Sequence, residues 1–133
     1  MAMKITESGK MNEPMFQNWL SQLGKAWVTK DPNLVGSICS ETVRYCENPF
    51  EEPRKGRQAV IDEWQNVPTS QKDITFDFDI IGITNGIGIA HWQASFTRVP
   101  SEIRDTLDGV FTVKLDSAGL CTEFRMWWVV KAQ

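Results

Sequence analysis

Histidine, tyrosine and cysteine are scarce in this chain of 133 residues: there is one histidine, His91, one tyrosine, Tyr45, and three cysteines, Cys39, Cys46 and Cys121. Catalytic zinc usually takes two or three imidazoles, so a lone histidine argues against a metal centre. A Ser–His–Asp triad would need that same histidine, and no G-x-S-x-G turn is present to carry its serine. An odd cysteine count without metal-like spacing is not the disulfide framework of a small secreted domain. The three cysteines read as reduced, packed thiols, which points to a cytoplasmic protein. Gly82, Gly86 and Gly88 form neither a phosphate loop nor a dinucleotide fingerprint, so no cofactor is expected. No stretch approaches the roughly 18 apolar residues of a membrane span. Residues 1–13 lack the apolar core of a signal peptide and read as a flexible tail ahead of one domain, 14–133.

Positive charge is not in excess either. Lys plus Arg total 14 against 17 Asp plus Glu, a net charge of −3. Duplex binding needs a clustered basic face, so nucleic acid is not an expected partner. The chain is 41% hydrophobic and 23% charged, which excludes a disordered or collagen-like polymer. A chain of this length makes one domain with a real core.

Helices come first. Pro14 to Lys30 opens with proline where a missing N–H costs nothing, and Phe16, Leu20, Leu23 and Trp27 recur at helical spacing. Asp31-Pro32 stops that helix and starts a short second one, with Asp31 as N-cap and Leu34, Val35 and Ile38 on its buried side. Thr42 to Glu47 reads as a strand with Val43, Tyr45 and Glu47 on one face and Arg44 and Cys46 on the other. A loop follows, then a third helix from Arg57 to Asn66 with Val60, Trp64 and Val67 on its apolar edge and Pro68 ending it.

Strands fill the second half. Ile74, Phe76, Phe78 and Ile80 alternate with Thr75, Asp77 and Asp79, one face dry and one wet. Asn85-Gly86 marks a type I′ hairpin, whose two central residues need positive φ. Gly88 to Arg98 returns with Trp92, Ala94 and Phe96 on one face and His91, Gln93 and Ser95 on the other. Thr106 to Leu115 and Leu120 to Val130 follow, joined by a turn at Asp116 to Gly119. Three helices and then a meander is an α+β arrangement. Long strands twist and curl, and where the helices fail to close the curl a pocket forms.

Several short motifs occur in a fixed order. Ala26-Trp27 precedes Lys30-Asp31; Val43-Arg44-Tyr45 enters a strand; Pro49-Phe50 precedes Glu52-Pro53. Gly56 to Ile61 leads to Trp64, then come Leu107 to Phe111 and Phe124 to Trp128. In that order the sequence resembles the nuclear transport factor 2-like superfamily, in its SnoaL-like branch, from about Pro14 to Val130. The resemblance implies a cone-shaped, strongly curved antiparallel sheet wrapped around three N-terminal helices, with an internal pocket at the open end. It also implies frequent pairing through the convex sheet face, and it puts Arg125 and Trp127 on the pocket side. The family hosts isomerases, cyclases, dehydratases, epoxide hydrolases and proteins without chemistry, so the fold alone names no reaction. Large apolar groups on both faces of the last strand, Phe124, Met126, Trp128 and Val130 against Trp127 and Val129, independently suggest a covered convex face and a homodimer.

The polar candidates are few. Tyr45 and Glu47 share a strand face; the phenol would donate to a substrate oxygen and the carboxylate act as base, its pKa raised by burial among aromatic rings. The plainer alternative is a core tyrosine and a glutamate paired with an arginine. Arg125 would orient a substrate carbonyl or pair with Glu47, Glu123 or Asp108. Asp108 is a candidate proton acceptor, with an exposed carboxylate as its alternative. Trp64, Trp92 and Trp127, with Phe50 nearby, would line a slot for a flat apolar ligand, although aromatics also simply fill cores. Two functional readings remain open. One is a site for a small apolar, oxygenated molecule, with cofactor-free acid–base chemistry of isomerase, hydratase or cyclase type. The other is a non-catalytic homodimeric adaptor of the same fold.

Overall fold

The computed structural model describes residues 11–132. Most of the expected tail thus lies outside the described residues. Its last part is built into the fold: Met11 is buried in the core, and the Asn12 side chain caps helix α1 by accepting from the Met15 N–H at 2.9 Å.

Helix α1 spans Glu13–Val28 and buries Phe16, Trp19, Leu20, Leu23, Ala26 and Trp27 on one side, the stripe that its 3.6 spacing predicts. Helix α2, Pro32–Ser37, starts as expected, with Asp31 accepting from the Leu34 N–H at 3.1 Å. Strand β1 is Cys39–Cys46, and the two-residue strand β2 is Arg54–Lys55. Helix α3, Arg57–Trp64, ends two residues before the sequence suggests, and a single-turn helix α4, Asn66–Ser70, follows. Pro68 sits inside α4 instead of ending α3. First-turn amides have no intrahelical partner, so proline is tolerated there.

Four long strands complete the chain: β3 Gln71–Thr84, β4 Ile87–Arg98, β5 Arg104–Leu115 and β6 Cys121–Ala132. The Asn85-Gly86 turn joins β3 to β4 with both residues at positive φ, 52° and 74°. The sheet order is β2-β1-β6-β5-β4-β3. All pairs are antiparallel except one: β1 runs parallel to β6, from Cys39 opposite Cys121 to Cys46 opposite Arg125. The result is the curved, unclosed α+β cone, with a mixed sheet. A chain reaching β1 from α2 arrives at the same end as one reaching β6 from the 116–119 turn, so the two strands run the same way.

The helices cover the concave face. There Trp92 stacks on Phe111 (centroids 4.8 Å, 10° between planes), and Phe111 meets Phe124 at 4.9 Å. Phe16, Trp92, Phe111 and Phe124 are fully or nearly fully buried. Each such ring contributes on the order of 1.5–3 kcal/mol of burial. A bulge between Ile80 and Gly82 turns Ile81 outward, leaving it 62% exposed.

At Gly109 two strands and a tryptophan meet without room for a side chain. A Cβ there would land on the Trp127 carbonyl oxygen and within 2.9 Å of Trp92 Nε1. Gly109→Ala is therefore expected to destabilise the fold by about 2–4 kcal/mol, read as a lower urea midpoint with unchanged slope. An unchanged midpoint would show that β6 yields at no cost.

Candidate functional site

Strand β1 carries the polar heart of the concave side. Val43 and Tyr45 are buried, Glu47 is half-buried on the same face, and Arg44 points out. The Tyr45 ring stacks on Phe124 of the parallel neighbour (5.0 Å, 12°). The Tyr45 hydroxyl accepts from Trp64 Nε1 at 2.8 Å and donates to Glu47 Oε2 at 2.6 Å. Its one hydrogen is thus committed to Glu47 and is not offered to a ligand. Burial first, and then the neighbouring Glu47 charge, push the phenol well above its ordinary range.

Glu47 lines a cavity of about 200 Å³ whose other walls include Trp27, Trp64, Gln71, Phe96, Leu107, Met126 and Trp128. Trp27 meets Trp64 edge-on at 5.5 Å and donates Nε1–H to Gln71 Oε1 at 2.8 Å. Glu63 of α3 faces the same cavity. It is ion-paired at 2.7 Å with Arg54, which the β1–β2 register sets opposite Tyr45. Burial raises the Glu47 carboxyl to about 7; the Tyr45 hydrogen bond pulls down, Glu63 pushes up, and Arg54 pulls down. An outer hollow of about 390 Å³ shares Gln71, Phe96, Leu107 and Trp128 with this cavity and adds the Arg98–Asp105 ion pair (2.7 Å) at its rim.

The opening has a simple origin. Pairing of β1 with β6 stops at Cys46 opposite Arg125, and β6 runs on to Ala132. Beyond that point an open groove of about 830 Å³ lies between the 48–51 loop and the edge of β6, reaching Glu47, Glu63 and Arg54.

Of the sequence candidates, Tyr45, Glu47 and Trp64 come together at the inner cavity, and Glu47, Phe50, Asp108 and Trp127 all line the open groove. Trp92 lies in the core, fully buried, with its Nε1 unpartnered. Phe50 is 95% exposed at the groove. The expected parity of β6 is off by one: Phe124 and Met126 face the helices, so Arg125 and Trp127 lie on the convex face. Both faces of β6 are apolar, so composition does not decide which turns inward, and the stacking of Phe124 on Tyr45 does. Arg125 pairs there with Glu123 at 3.1 Å and lines none of the hollows described, whereas Trp127 and Asp108 reach the open groove from its outer side. Asp108 shares that outer face, accepting from Gln93 at 2.7 Å and lying 3.0 Å from His91 Nε2. The Gln93 and His91 contacts hold its carboxyl below the ordinary range, which does not suit a base. Glu63 and Arg54 join the site without being among the sequence candidates. Glu63 had a signal, since it falls between Val60 and Trp64 on the apolar stripe of α3.

A curved, unclosed sheet with helices on its concave face and a hollow at its open edge defines the α+β cone class of folds. The SnoaL-like domain model matches residues 20–124, and the chain belongs to this family, within the nuclear transport factor 2-like superfamily. No curated protein matches the sequence. Solved structures share the fold at low identity. SalBIII, an epoxide hydrolase/cyclase-like enzyme in pyran ring formation of the polyether salinomycin, superposes with TM-score 0.74 at 15% identity, over 85% of this chain and 89% of that one. A hexachlorocyclohexane dehydrochlorinase, LinA type 2, gives TM-score 0.76 at 11% identity, over 90% and 87%. RV0760c from Mycobacterium tuberculosis gives 0.74 at 13%, over 93% and 100%. Among the described residues no helix is long and apolar enough to cross a membrane.

The raised Glu47 carboxyl has a consequence for stability. An unfolded glutamate titrates near 4.5 and the folded one near 7, so between these values the folded chain binds more protons. Stability therefore falls as pH rises through that window, by up to about 3 kcal/mol, and the penalty is complete above it. Glu47→Gln keeps an oxygen for Tyr45 and removes the charge. Its melting temperature is expected to exceed wild type at pH 8, with the gain vanishing by about pH 4.5. A pH-independent difference would contradict the burial of this carboxyl.

Proposed function

We propose that this protein binds a small, neutral, apolar molecule bearing oxygen in the cone cavity and moves a proton on it without a cofactor, as an isomerase, hydratase or cyclase does. The observation that carries the reading is the Glu47 carboxyl, held by the Tyr45 hydroxyl on the wall of an aromatic cavity, where burial pushes it up to about 7. Near neutral pH such a group exists in both forms, so it can take a proton from one atom and return it to another. Tyr45 and Trp64 hold it in place through the hydrogen-bond chain. The walls are apolar and aromatic, which favours a ring system over a charged ligand. Ring formation and dehydrochlorination, the reactions named for two similar folds, also turn on moving a proton, which fits this reading. A cytoplasmic setting accords with three buried cysteines that are all free thiols.

The test is a panel of neutral cyclic enones, terpenoid epoxides and steroids, scored by thermal shift and turnover. At least one class should raise the melting temperature, and Glu47→Gln should lower its turnover by at least about 100-fold while binding persists. Absence of any binder, or turnover equal in Glu47→Gln, would favour the non-catalytic adaptor.

The same proposal includes a homodimer through the convex face. Trp127 (39% exposed), Val129 (70%) and the outward Ile81 (62%) support it, since a wet sheet face rarely carries such groups. Light scattering should give twice the 15.2 kDa chain mass, and Trp127→Glu with Val129→Lys should halve it. A monomeric wild type would refute the dimer.

A further inference from the structure

Two carboxyl groups face the cavity, and only one of them has a cation. Resting on the reading of Glu47 as the proton-carrying group, we propose that Arg54 and Glu63 act as positioning residues. The Arg54–Glu63 ion pair takes up the nearby cation and sets the Glu63 carboxylate against Glu47, and this arrangement keeps the working proton on Glu47.

The geometry supplies the argument. Arg54 lies on the two-residue strand β2, and the pairing of that strand with β1 sets it opposite Tyr45, on the same side of the ladder. From there its Nη2 reaches Glu63 Oε1 at 2.7 Å, with the Glu63 side chain only 20% exposed. Glu63 projects from α3 one residue before Trp64, whose indole is tied to the Tyr45 hydroxyl. Thus β1, β2 and α3 bring their polar groups to one end of the hollow. The groups acting on Glu47 are Tyr45 from β1, Arg54 from β2 and Glu63 from α3, and Glu51 of the loop and Asp108 of β5 line the open groove that Glu47 also reaches. The remaining walls, Trp27, Gln71, Phe96, Leu107, Met126 and Trp128, carry no titratable group.

Glu47 and Glu63 line the same aromatic-walled hollow, and a second negative charge there disfavours the Glu47 anion. A charge-assisted pair with a guanidinium favours the anion of the carboxyl it touches. That carboxyl is Glu63, so Glu47 is left without a direct cation and keeps the proton, although the hydrogen bond it receives from Tyr45 pulls the other way. With Glu47 protonated the trio is neutral, and with Glu47 ionised it is negative. An anionic ligand therefore meets repulsion in the form that removes protons, and a neutral one does not. The Arg54–Glu63 pair would in this way select for uncharged substrates as well as place the proton.

The experiment is a pH titration of the glutamate side-chain carboxyl carbons by NMR in uniformly labelled, ligand-free protein. The Glu47 signal is assigned by its loss in Glu47→Gln. In wild type Glu47 should titrate near 7. Glu63→Gln should move that midpoint down by about 1 pH unit, and Arg54→Gln should move it up. Arg54→Lys keeps the charge and should leave the midpoint close to wild type. A proton–nitrogen correlation spectrum checks that each variant is folded. Opposite shifts are the signature of the arrangement, because a merely structural loss at either position would move both midpoints the same way or not at all. Equal or same-direction shifts in Glu63→Gln and Arg54→Gln, with wild-type Glu47 still near 7, would overturn this inference and leave the proposed function standing. A wild-type Glu47 titrating near 4.5 would instead overturn the proposed function itself.

Discussion

The parallel pairing of β1 with β6 governs the rest of the molecule. It stacks the Tyr45 ring on Phe124 and so fixes which side of β6 faces the helices. It also ends early. Beyond Cys46 and Arg125 the chain of β1 leaves the sheet, and the last residues of β6 keep one edge without a partner. The hollow opens at that place, because a sheet of long strands is covered by helices of only 16, 6, 8 and 5 residues. Glu47, the residue just after β1, stands at the point where packing gives way to space.

A carboxyl at that boundary is expensive. Its burial raises the free energy of the ionised form, and part of that cost is offset by the Tyr45 hydroxyl and by Arg54. A sequence shaped only for stability would place an apolar residue there, since a satisfied hydrophobic core avoids the desolvation penalty altogether. Perturbed carboxyls in clefts are therefore informative: they single out candidate functional positions, because packing alone does not account for them. The outer-face pair of His91 and Asp108 makes the contrast. Both groups are exposed to water, and their mutual contact stabilises the charged forms of each without burying either.

Much of the fold was legible because its signals are local. The apolar stripe of α1, the Asp31-Pro32 cap, the alternation from Ile74 to Ile80 and the Asn85-Gly86 turn each depend on neighbouring residues alone. The pairing of Tyr45 with Glu47 was legible for the same reason, since residues two apart on a strand share a face. What failed was long-range. The face of β6 is set by its partner strand, and a segment apolar on both sides offers no internal clue; Arg125 and Trp127 lie on the convex side, Trp127 still reaching the open groove from there. The parallel direction of β1 and the ladder bond that makes a strand of Arg54-Lys55 are likewise products of contacts distant in sequence. Glu63 was the exception, a charged residue within the buried stripe of a helix, and such an interruption is visible before any coordinates exist.

The free edge of β6 has a further consequence for how the protein behaves when crowded. Trp127, Trp128, Val129 and Val130 form a run of β-favouring residues that has no ladder partner on the β1 side. Such a run is a template on which an extended segment of another chain can add, rung by rung, toward fibrillar growth. The twist of a strongly curved sheet limits how many rungs stack in register. The flanking Arg125 and Lys131 place like charges at both ends of the run, which resists self-stacking at low ionic strength and does so less as salt screens it.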